Sequence, residues 1–515
     1  MVMLQKGGTE TVLLFSSAML FLQKKERFPE SREIGEYIMR MGFLCGLCLL
    51  FLTGSLSAFE LQTRVYPADC ETTLRIKAVS PWAKEWLKVA AEMKKSGKDQ
   101  FRKGKEWPLI GYFRDDRRYS DGKQYITHGF PEPLSFKLEE NEIVVDVKLP
   151  GTEVHSIIFA KLPATKKFRD FRYVKLLTVD QNTLQYRPFK GNVHQHSNVS
   201  DGKLNPKDHV AYARIGGMDF IGVSDHYEYK QNKSVLAFAA ECKSDLTVYP
   251  AEEMHTPGAV LHSLSIGATK SHSVRKRTPE FMKAVQPELD KLIKKFPDRS
   301  KEELQPWAEA MILARRAKAD GALVVYCHPA WRPRYYMNNT FAMIDFVIRS
   351  KEFHAVEIIN GSMANRSRRD NLDAWAVFHE ICIETGARIP VISSSDSHNV
   401  SVAGYRRTYT LMFAPDCTFS SFKDAVLSGR TVASCDLSEN TKPPQPLHLG
   451  ASQYVRYANF LDEAGYWVNH DKITKKQGEL ILKYQKGDQT ALAEIANLAE
   501  ELKQFRKNFF YQIKK

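Results

Sequence analysis

The chain carries two rhythms of apolar and polar positions. From about 125 to 190, segments such as "LSFKLEE", "EIVVDVKLP", "HSIIFAKLP" and "VKLLTVD" alternate residue by residue and are broken by Pro, Gly and Asn. A period of two marks half-buried strands, so a small β-rich, sandwich-like region is expected there. A Lys-rich helical stretch, "WAKEWLKVAAEMKKSGKDQFRKGKE", precedes it. From 186 to 436 β-branched runs ("DFIGVSDH", "DLTVYPAEEMH", "LHSLSIGA", "GALVVYCHP", "AVEIING", "IPVISSSDSH") take turns with helical stretches such as "LQPWAEAMILARRAKAD". Strands alternating with helices predict βα units and a parallel sheet, and six or seven units in roughly 250 residues suit a closed barrel. Beyond Pro443 the pattern turns helical and charged. The expected organisation is α/β: a targeting segment over 1–58, a β-rich accessory region over 59–185, a (β/α) barrel over 186–436 and a C-terminal helical extension over 437–515.

Composition narrows the class. With 43% hydrophobic and 26% charged residues, the 515-residue chain has the make-up of a soluble globular protein. Its net charge of +14 favours anionic ligands. The basic residues are dispersed, and neither an arginine-rich tract nor zinc-finger spacing appears, so no specific nucleic-acid partner is expected. "MGFLCGLCLLFLTGSLSAFE" (41–60), behind the basic flank "KKERFPESREIGEYIMR", has the layout of a secretory signal cleaved near Ser57 or Ala58. Its apolar core is shorter than the ~20 residues of a spanning helix. Export to a secreted or periplasmic location is the favoured reading; an uncleaved membrane anchor over 42–56 is the other. Met41 is a second candidate start. Cys45 and Cys48 would leave with the signal. Cys70, Cys242, Cys327, Cys382, Cys417 and Cys435 form no CxxC pair, so any disulfide framework is sparse.

The chemistry sits where the strands end. "GNVHQH" supplies His194 and His196, "IGVSDH" Asp225 and His226, and "VYPAEEMH" Glu252, Glu253 and His255. "AVLHS" supplies His262, "VVYCHP" His328, and "ISSSDSH" Asp396 and His398. Functional residues of parallel barrels lie at the C-terminal strand ends, so these side chains are expected to converge on one mouth. Seven of the chain's 15 histidines fall at such positions, which random scatter would not produce.

These residues carry a resemblance. Residues 190–436 resemble a PHP domain (polymerase and histidinol phosphatase) through four motifs in order: "HQHSNVSDG" with "VSDH", then "PAEEMHTPGAVLHSLSIG", "LVVYCHP" and "SSSDSH". Among its branches the exported CehA/McbA-like metallohydrolases look most similar. The resemblance implies a distorted seven-stranded (β/α)7 barrel and a cluster of two or three divalent metal ions. It implies His194, His196, Asp201, His226, Glu253, His262, His328, Asp396 and His398 as ligands, with Asp201, Glu253 and Asp396 in the reaction. Departures remain. Ala251 stands where the second motif has Gly, choosing Glu253 over Glu252 depends on register, and the role of His255 is open. The aromatic and basic extension of the third motif in "CHPAWRPRYY" has no counterpart to assign.

Imidazole and carboxylate donors without thiolate suit Zn, Mn or Fe ions. A carboxylate such as Glu253 or Asp396 can bridge two ions, and two ions ~3.5–4 Å apart can hold a hydroxide between them at neutral pH. Asp225 either orients a ligand imidazole or caps the following helix. Arg332 and Arg334 in "WRPRYY", and Asn360, Arg366, Arg368 and Arg369 in "NGSMANRSRR", are candidates for substrate contact because arginine forks match phosphate oxygens. The leading expectation is an exported metal-dependent phosphoesterase acting on a small anionic substrate. A carbamate, ester or amide hydrolase is the alternative enzyme, and a non-catalytic metal-stabilised binding module the alternative of another kind.

Overall fold

β3 (Glu71–Ala78) shows how the period of two is used. Thr72, Leu74 and Ile76 point inward while Glu71, Thr73, Arg75 and Lys77 stay in water. The computed structural model describes residues 58–95, 109–114, 119–120, 123–124, 132–140, 142–160, 171–258, 261–333, 337–361, 367–399, 402–436 and 446–512. These belong to one compact unit, Ser57–Lys515; the expected signal or anchor segment lies outside the described residues. β3 belongs to a sheet ordered β1 (Phe59–Leu61), β3, β9 (Glu142–Lys148), β8 (Lys137–Glu139). A second sheet runs β2 (Val65–Pro67), β11 (Phe171–Val179), β10 (Val154–Ala160), β4 (Leu109–Arg114), β7 (Glu132–Pro133), and β5 (Tyr119–Ser120) pairs with β6 (Lys123–Gln124). Leu74, Ile76 and Val145 of one sheet share a core with Ile157, Phe159 and Leu176 of the other, closed by Trp86 of helix Pro81–Lys95.

Two further sheets carry the strand-end chemistry. One is ordered β14 (Thr247–Val248), β13 (Phe220–Ile221), β12 (Arg187–Asn192), β20 (Thr408–Ala414), β21 (Thr431–Asp436), β22 (Pro446–Gly450). The other is β15 (Ala251–His255), β16 (His262–Ile266), β17 (Leu323–Tyr326), β18 (Ala355–Asn360), β19 (Val391–Ser394). Phe189, Phe220 and Met412 from the first meet Leu264, Val325, Ala355 and Ile392 from the second in a common core. The sheets also meet at both margins. At one margin the Glu253 N–H of β15 donates to Ser224 O, just beyond β13, at 3.1 Å. At the other margin Ser393 bonds Thr410, Tyr409 and Ser434. Helices Pro279–Lys295, Lys301–Ala319, Phe341–Ser350 and Ser367–Thr385 cover the outside of the β15–β19 sheet. Asp208–Ile215, Gln231–Glu241, Ser452–Glu463, Tyr466–Gln485 and Ala491–Phe509 cover the other.

The expectation of βα units and a parallel sheet closing into a (β/α) barrel holds in part: the alternation of strands and helices is present, and the strand directions are corrected. Among the described residues the strands form two sheets, not one ring. Both are mixed: β12–β13, β13–β14, β17–β18 and β18–β19 are parallel, whereas β15–β16, β16–β17, β12–β20, β20–β21 and β21–β22 are antiparallel. For β15 and β16 the cause is chain length: residues 256–261 cannot make a parallel crossover, which needs a dozen or more residues. The hairpin sets His262, at the start of β16, opposite His255, at the end of β15. His262 therefore reaches the same mouth from the opposite chain direction.

Candidate metal centre

His194 and His196 follow β12 two residues apart, so both rings point the same way. The loop behind them, "SNVSDG", folds back on His196. The Gly202 N–H donates to Ser197 O at 2.9 Å. A Cβ on Gly202 would lie 2.1 Å from the His196 carbonyl oxygen, so only glycine fits. Asp225 ties this loop down: its carboxylate accepts from the Ser197 N–H (2.7 Å), the Ser197 hydroxyl (2.6 Å) and the Ser200 hydroxyl (2.7 Å). Among the described residues its carboxylate bonds neither an imidazole nor a helix N-terminus, which corrects both expectations for it. On β15 neighbouring side chains take opposite faces. Glu252 turns outward to the Ser271 hydroxyl (2.5 Å) and the His272 N–H (2.9 Å), and Glu253 turns into the cluster.

Glu253 is the hub. Its Oε2 lies 3.2 Å from His194 Nε2, 3.3 Å from His196 Nε2 and 2.9 Å from His226 Nδ1. Its Oε1 lies 2.8 Å from His262 Nδ1 and 3.0 Å from His328 Nε2. Asp396 Oδ1 stands 2.9 Å from His196 Nε2 and 3.4 Å from His194 Nε2. Asp201 Oδ2 is 3.5 Å from His226 Nε2 and 3.3 Å from His398 Nε2, and its Oδ1 is 3.8 Å from His196 Nδ1. All nine side chains named from the resemblance thus meet in one place. Three overlapping sets of potential donors emerge: His194, Glu253, Cys327 and His328; His194, His196, Glu253 and Asp396; His196, Asp201, His226 and His398. His255 joins a fourth with His226 and Glu253.

Do these residues fit metal ions? An ion ~2.0–2.2 Å from its N and O donors holds neighbouring donors roughly 2.8–3.6 Å apart. Apart from His196 Nδ1 to Asp201, the separations above fall in that range. Several of the atoms involved are buried without a hydrogen-bond partner: His194 Nε2, His196 Nδ1, Glu253 Oε2, His255 Nδ1 and His262 Nε2. Buried polar atoms are rarely left unsatisfied, and a cation facing them removes the cost. The donor chemistry agrees. Burial pushes the Cys327 thiol well above its ordinary value, reinforced by Glu253, Glu357 and Asp396. Burial would raise Glu253, but His194, His262 and His226 hold it well below the usual carboxylate range. Burial would likewise raise Asp396, and His194 and His196 keep it ionised. Anionic carboxylates among imidazoles are a donor set that suits divalent cations.

Backbone strain gathers at the same place. His328 (φ 28°), Asp396 (φ 49°) and Tyr227 (φ 57°) all adopt left-handed conformations that non-glycine residues avoid. Such strain persists only where surrounding contacts enforce it, and it clusters at functional sites.

The substrate candidates fare differently. Arg332 gives its guanidinium to Asp370 (2.8 Å) and Asp373 (2.5 Å). Asn360 is buried and donates to Glu357 Oε2 at 2.9 Å. Arg334 and Arg366 lie outside the described residues, and Arg368 and Arg369 are exposed. Other residues at the rim were not anticipated from the sequence. Tyr227 packs on His255 with ring centroids 4.4 Å apart, Arg275 lies over Tyr227 at 4.5 Å, and Trp331 stands 5.4 Å from His262. Glu357 was missed too, although a lone carboxylate in the buried run "AVEIIN" is a signal in itself. A groove of about 750 Å³ between the outer helices, lined by Phe296, Trp307, Phe346 and Val377 among others, shares no residue with the cluster.

No protein-family model matches the chain, and no curated protein does. Among solved structures it is similar to a two-domain protein from Bacteroides vulgatus described as containing a predicted PHP-like metal-dependent phosphoesterase. That likeness has 19% identity and a TM-score of 0.32, covering 48% of this chain and 65% of that one. A second likeness is to an amidohydrolase from Chromobacterium violaceum, with 14% identity, a TM-score of 0.27, and 41% of this chain against 88% of that one. A third is to a lesion-specific endonuclease from Pyrococcus furiosus, with 15% identity, a TM-score of 0.29, and 48% of this chain against 58% of that one. The chain therefore spans less than two thirds of the first of these proteins.

Proposed function

We propose that this chain is a PHP-type metal-dependent hydrolase, acting on a phosphoester of a small anionic molecule. The observation that carries the reading is the convergence of His194, His196, His226, His262, His328 and His398 on Glu253, Asp396 and Asp201, with buried nitrogen and oxygen atoms left unpaired among them. Those nine residues would hold two or three divalent ions, with Glu253 common to three of the donor sets. Bound ions of this kind supply Lewis acidity and lower the pKa of water toward ~7. The chain's own part is to fix the donors: Asp225 holds the loop behind His196, the β15–β16 hairpin sets His262 beside His255, and the strained backbones of His328 and Asp396 aim their side chains inward. Trp331 and Tyr227 stand at the rim beside the His262 and His255 rings.

A second reading, hydrolysis of a carbamate, ester or amide by the same centre, gains from Arg332. Its fork is occupied by two carboxylates and is not free for a phosphate. Export is proposed from the residue pattern at 41–60 alone. The deciding experiment is metal analysis of the purified full-length chain, with turnover measured on a phosphomonoester, a phosphodiester and a carbamate. Less than one ion per chain after metal loading would sink the reading, and turnover of the carbamate alone would replace phosphoesterase by the second reading.

A further inference from the structure

Glu357 sits in the middle of β18 with about 1% of its surface exposed, among apolar neighbours. Among the described residues no lysine or arginine pairs with it, and its oxygens are met by three donors. Oε1 and Oε2 lie 3.2 and 3.3 Å from His194 Nδ1. Oε2 also accepts from the His328 backbone N–H at 3.1 Å and from Asn360 Nδ2 at 2.9 Å. Asn360 is fixed in turn: Asn371 Oδ1 accepts from its backbone N–H (2.9 Å), and Asn371 Nδ2 donates to its carbonyl (3.0 Å). The chain of contacts thus runs from helix Ser367–Thr385 through Asn371, Asn360 and Glu357 to two of the clustered histidines.

We infer that Glu357 is a positioning residue for one ion of the cluster, the one facing His194, Glu253 and His328. By accepting from Nδ1–H it sets the His194 tautomer, leaving the Nε2 lone pair toward Glu253 and Asp396, where that atom has no hydrogen-bond partner. By holding the His328 N–H it pins the backbone at φ 28°, a conformation the chain would otherwise leave. One carboxylate therefore orients the ring of one donor and the backbone of another in the same set. The donors His196, Asp201, His226 and His398 have no contact with it among the described residues. This inference rests on the metal-centre reading above.

The test is zinc binding by the full-length chain, measured with a competing chromogenic chelator after metal removal and reloading with zinc alone. Carboxylates that orient ligating histidines cost 10–100-fold in metal affinity when removed. Glu357→Ala should weaken zinc binding at the donor sets that contain His194 by that factor and leave the ion facing His196, Asp201, His226 and His398 at the parent's affinity. Glu357→Gln keeps the volume but offers one acceptor oxygen to three donors, so it should fall between the two; it decides the matter if the alanine variant does not fold. In a His328→Ala background, Glu357→Ala should add less than threefold, because the ion facing His194, Glu253 and His328 has already lost a donor. Parent-like zinc affinity in both variants, or an equal loss across all ions tracking a fall in melting temperature, would overturn the positioning role while leaving the metal centre intact. A parent chain that holds no zinc would overturn the metal centre itself, and this inference with it.

Discussion

Asp219 offers the sharpest test of how the C-terminal helices support the centre. It lies one residue before β13, with its side chain 2% exposed. Its Oδ1 stands 2.5 Å from Arg506, 2.9 Å from His470 Nε2 and 3.4 Å from Arg214, and its Oδ2 accepts from the Lys190 N–H at 3.1 Å. His470 and Arg506 belong to helices Tyr466–Gln485 and Ala491–Phe509, so one carboxylate fastens both to the strand that delivers His226. Asp219→Asn keeps the volume but removes the charge and turns an amide N–H toward another donor. Removing one partner of a buried ion pair costs about 3–5 kcal/mol. Asp245 stays within 2.7 Å of Arg214 and 3.5 Å of Arg506, so the low end, about 3 kcal/mol, applies. For a chain of 515 residues, whose unfolding entropy is about 1 kcal/mol/K, that lowers Tm by roughly 3 °C.

The pH dependence follows from the same contacts. Burial would raise the Asp219 carboxyl, yet Arg506, His470 and Arg214 hold it well below the usual carboxylate range. A folded-state pKa below the unfolded ~3.9 contributes stability above about pH 4 and loses it as pH falls. The gap in Tm between parent and Asp219→Asn should therefore be full at pH 7 and narrow below about pH 4. Thermal unfolding followed by circular dichroism at several pH values reads both. A loss under about 1 kcal/mol at pH 7, or a gap that widens on acidification, would refute the reasoning.

Three further outcomes are expected. His196→Ala and Asp396→Ala should each cut turnover by at least ~100-fold at matched folded fraction, while His379→Ala, on the helix Ser367–Thr385 beside Trp375, should stay within a few-fold; steady-state kinetics alongside circular dichroism separates them. Cys327→Ser should keep the parent's metal content in elemental analysis, because the serine hydroxyl keeps the donation that the buried thiol makes to Glu253 at 3.7 Å; loss of an ion would make it a thiolate ligand. Arg332→Ala should move KM by less than threefold and should expose the segment after His328 to proteolysis, since its fork serves Asp370 and Asp373; a large rise in KM would return it to the substrate.

What could be read from the sequence follows from how far each signal reaches along the chain. His194 and His196 are legible because strand geometry alone puts residues i and i+2 on one face. The same rule chooses between Glu252 and Glu253 only once the register of β15 against β16 is known, since a one-residue slip exchanges the two faces. Sheet direction was misjudged for a related reason: "AEEMHTPGAVLHSLSIG" reads as two strands, but their direction depends on a connection whose shortness forces a hairpin. Residues acting through others were hardest to see. Asp225 looked like a neighbour of His226, yet its partners Ser197 and Ser200 lie on another loop. Glu357 looked like an oddity in an apolar strand, and only the folded chain reveals the three donors around it. Metal-donor identity is thus written locally, in residue types at strand ends. Donor orientation is written in contacts between distant segments, which is why Glu357 and Asp225, not the histidines, are the positions where the structure adds to the sequence.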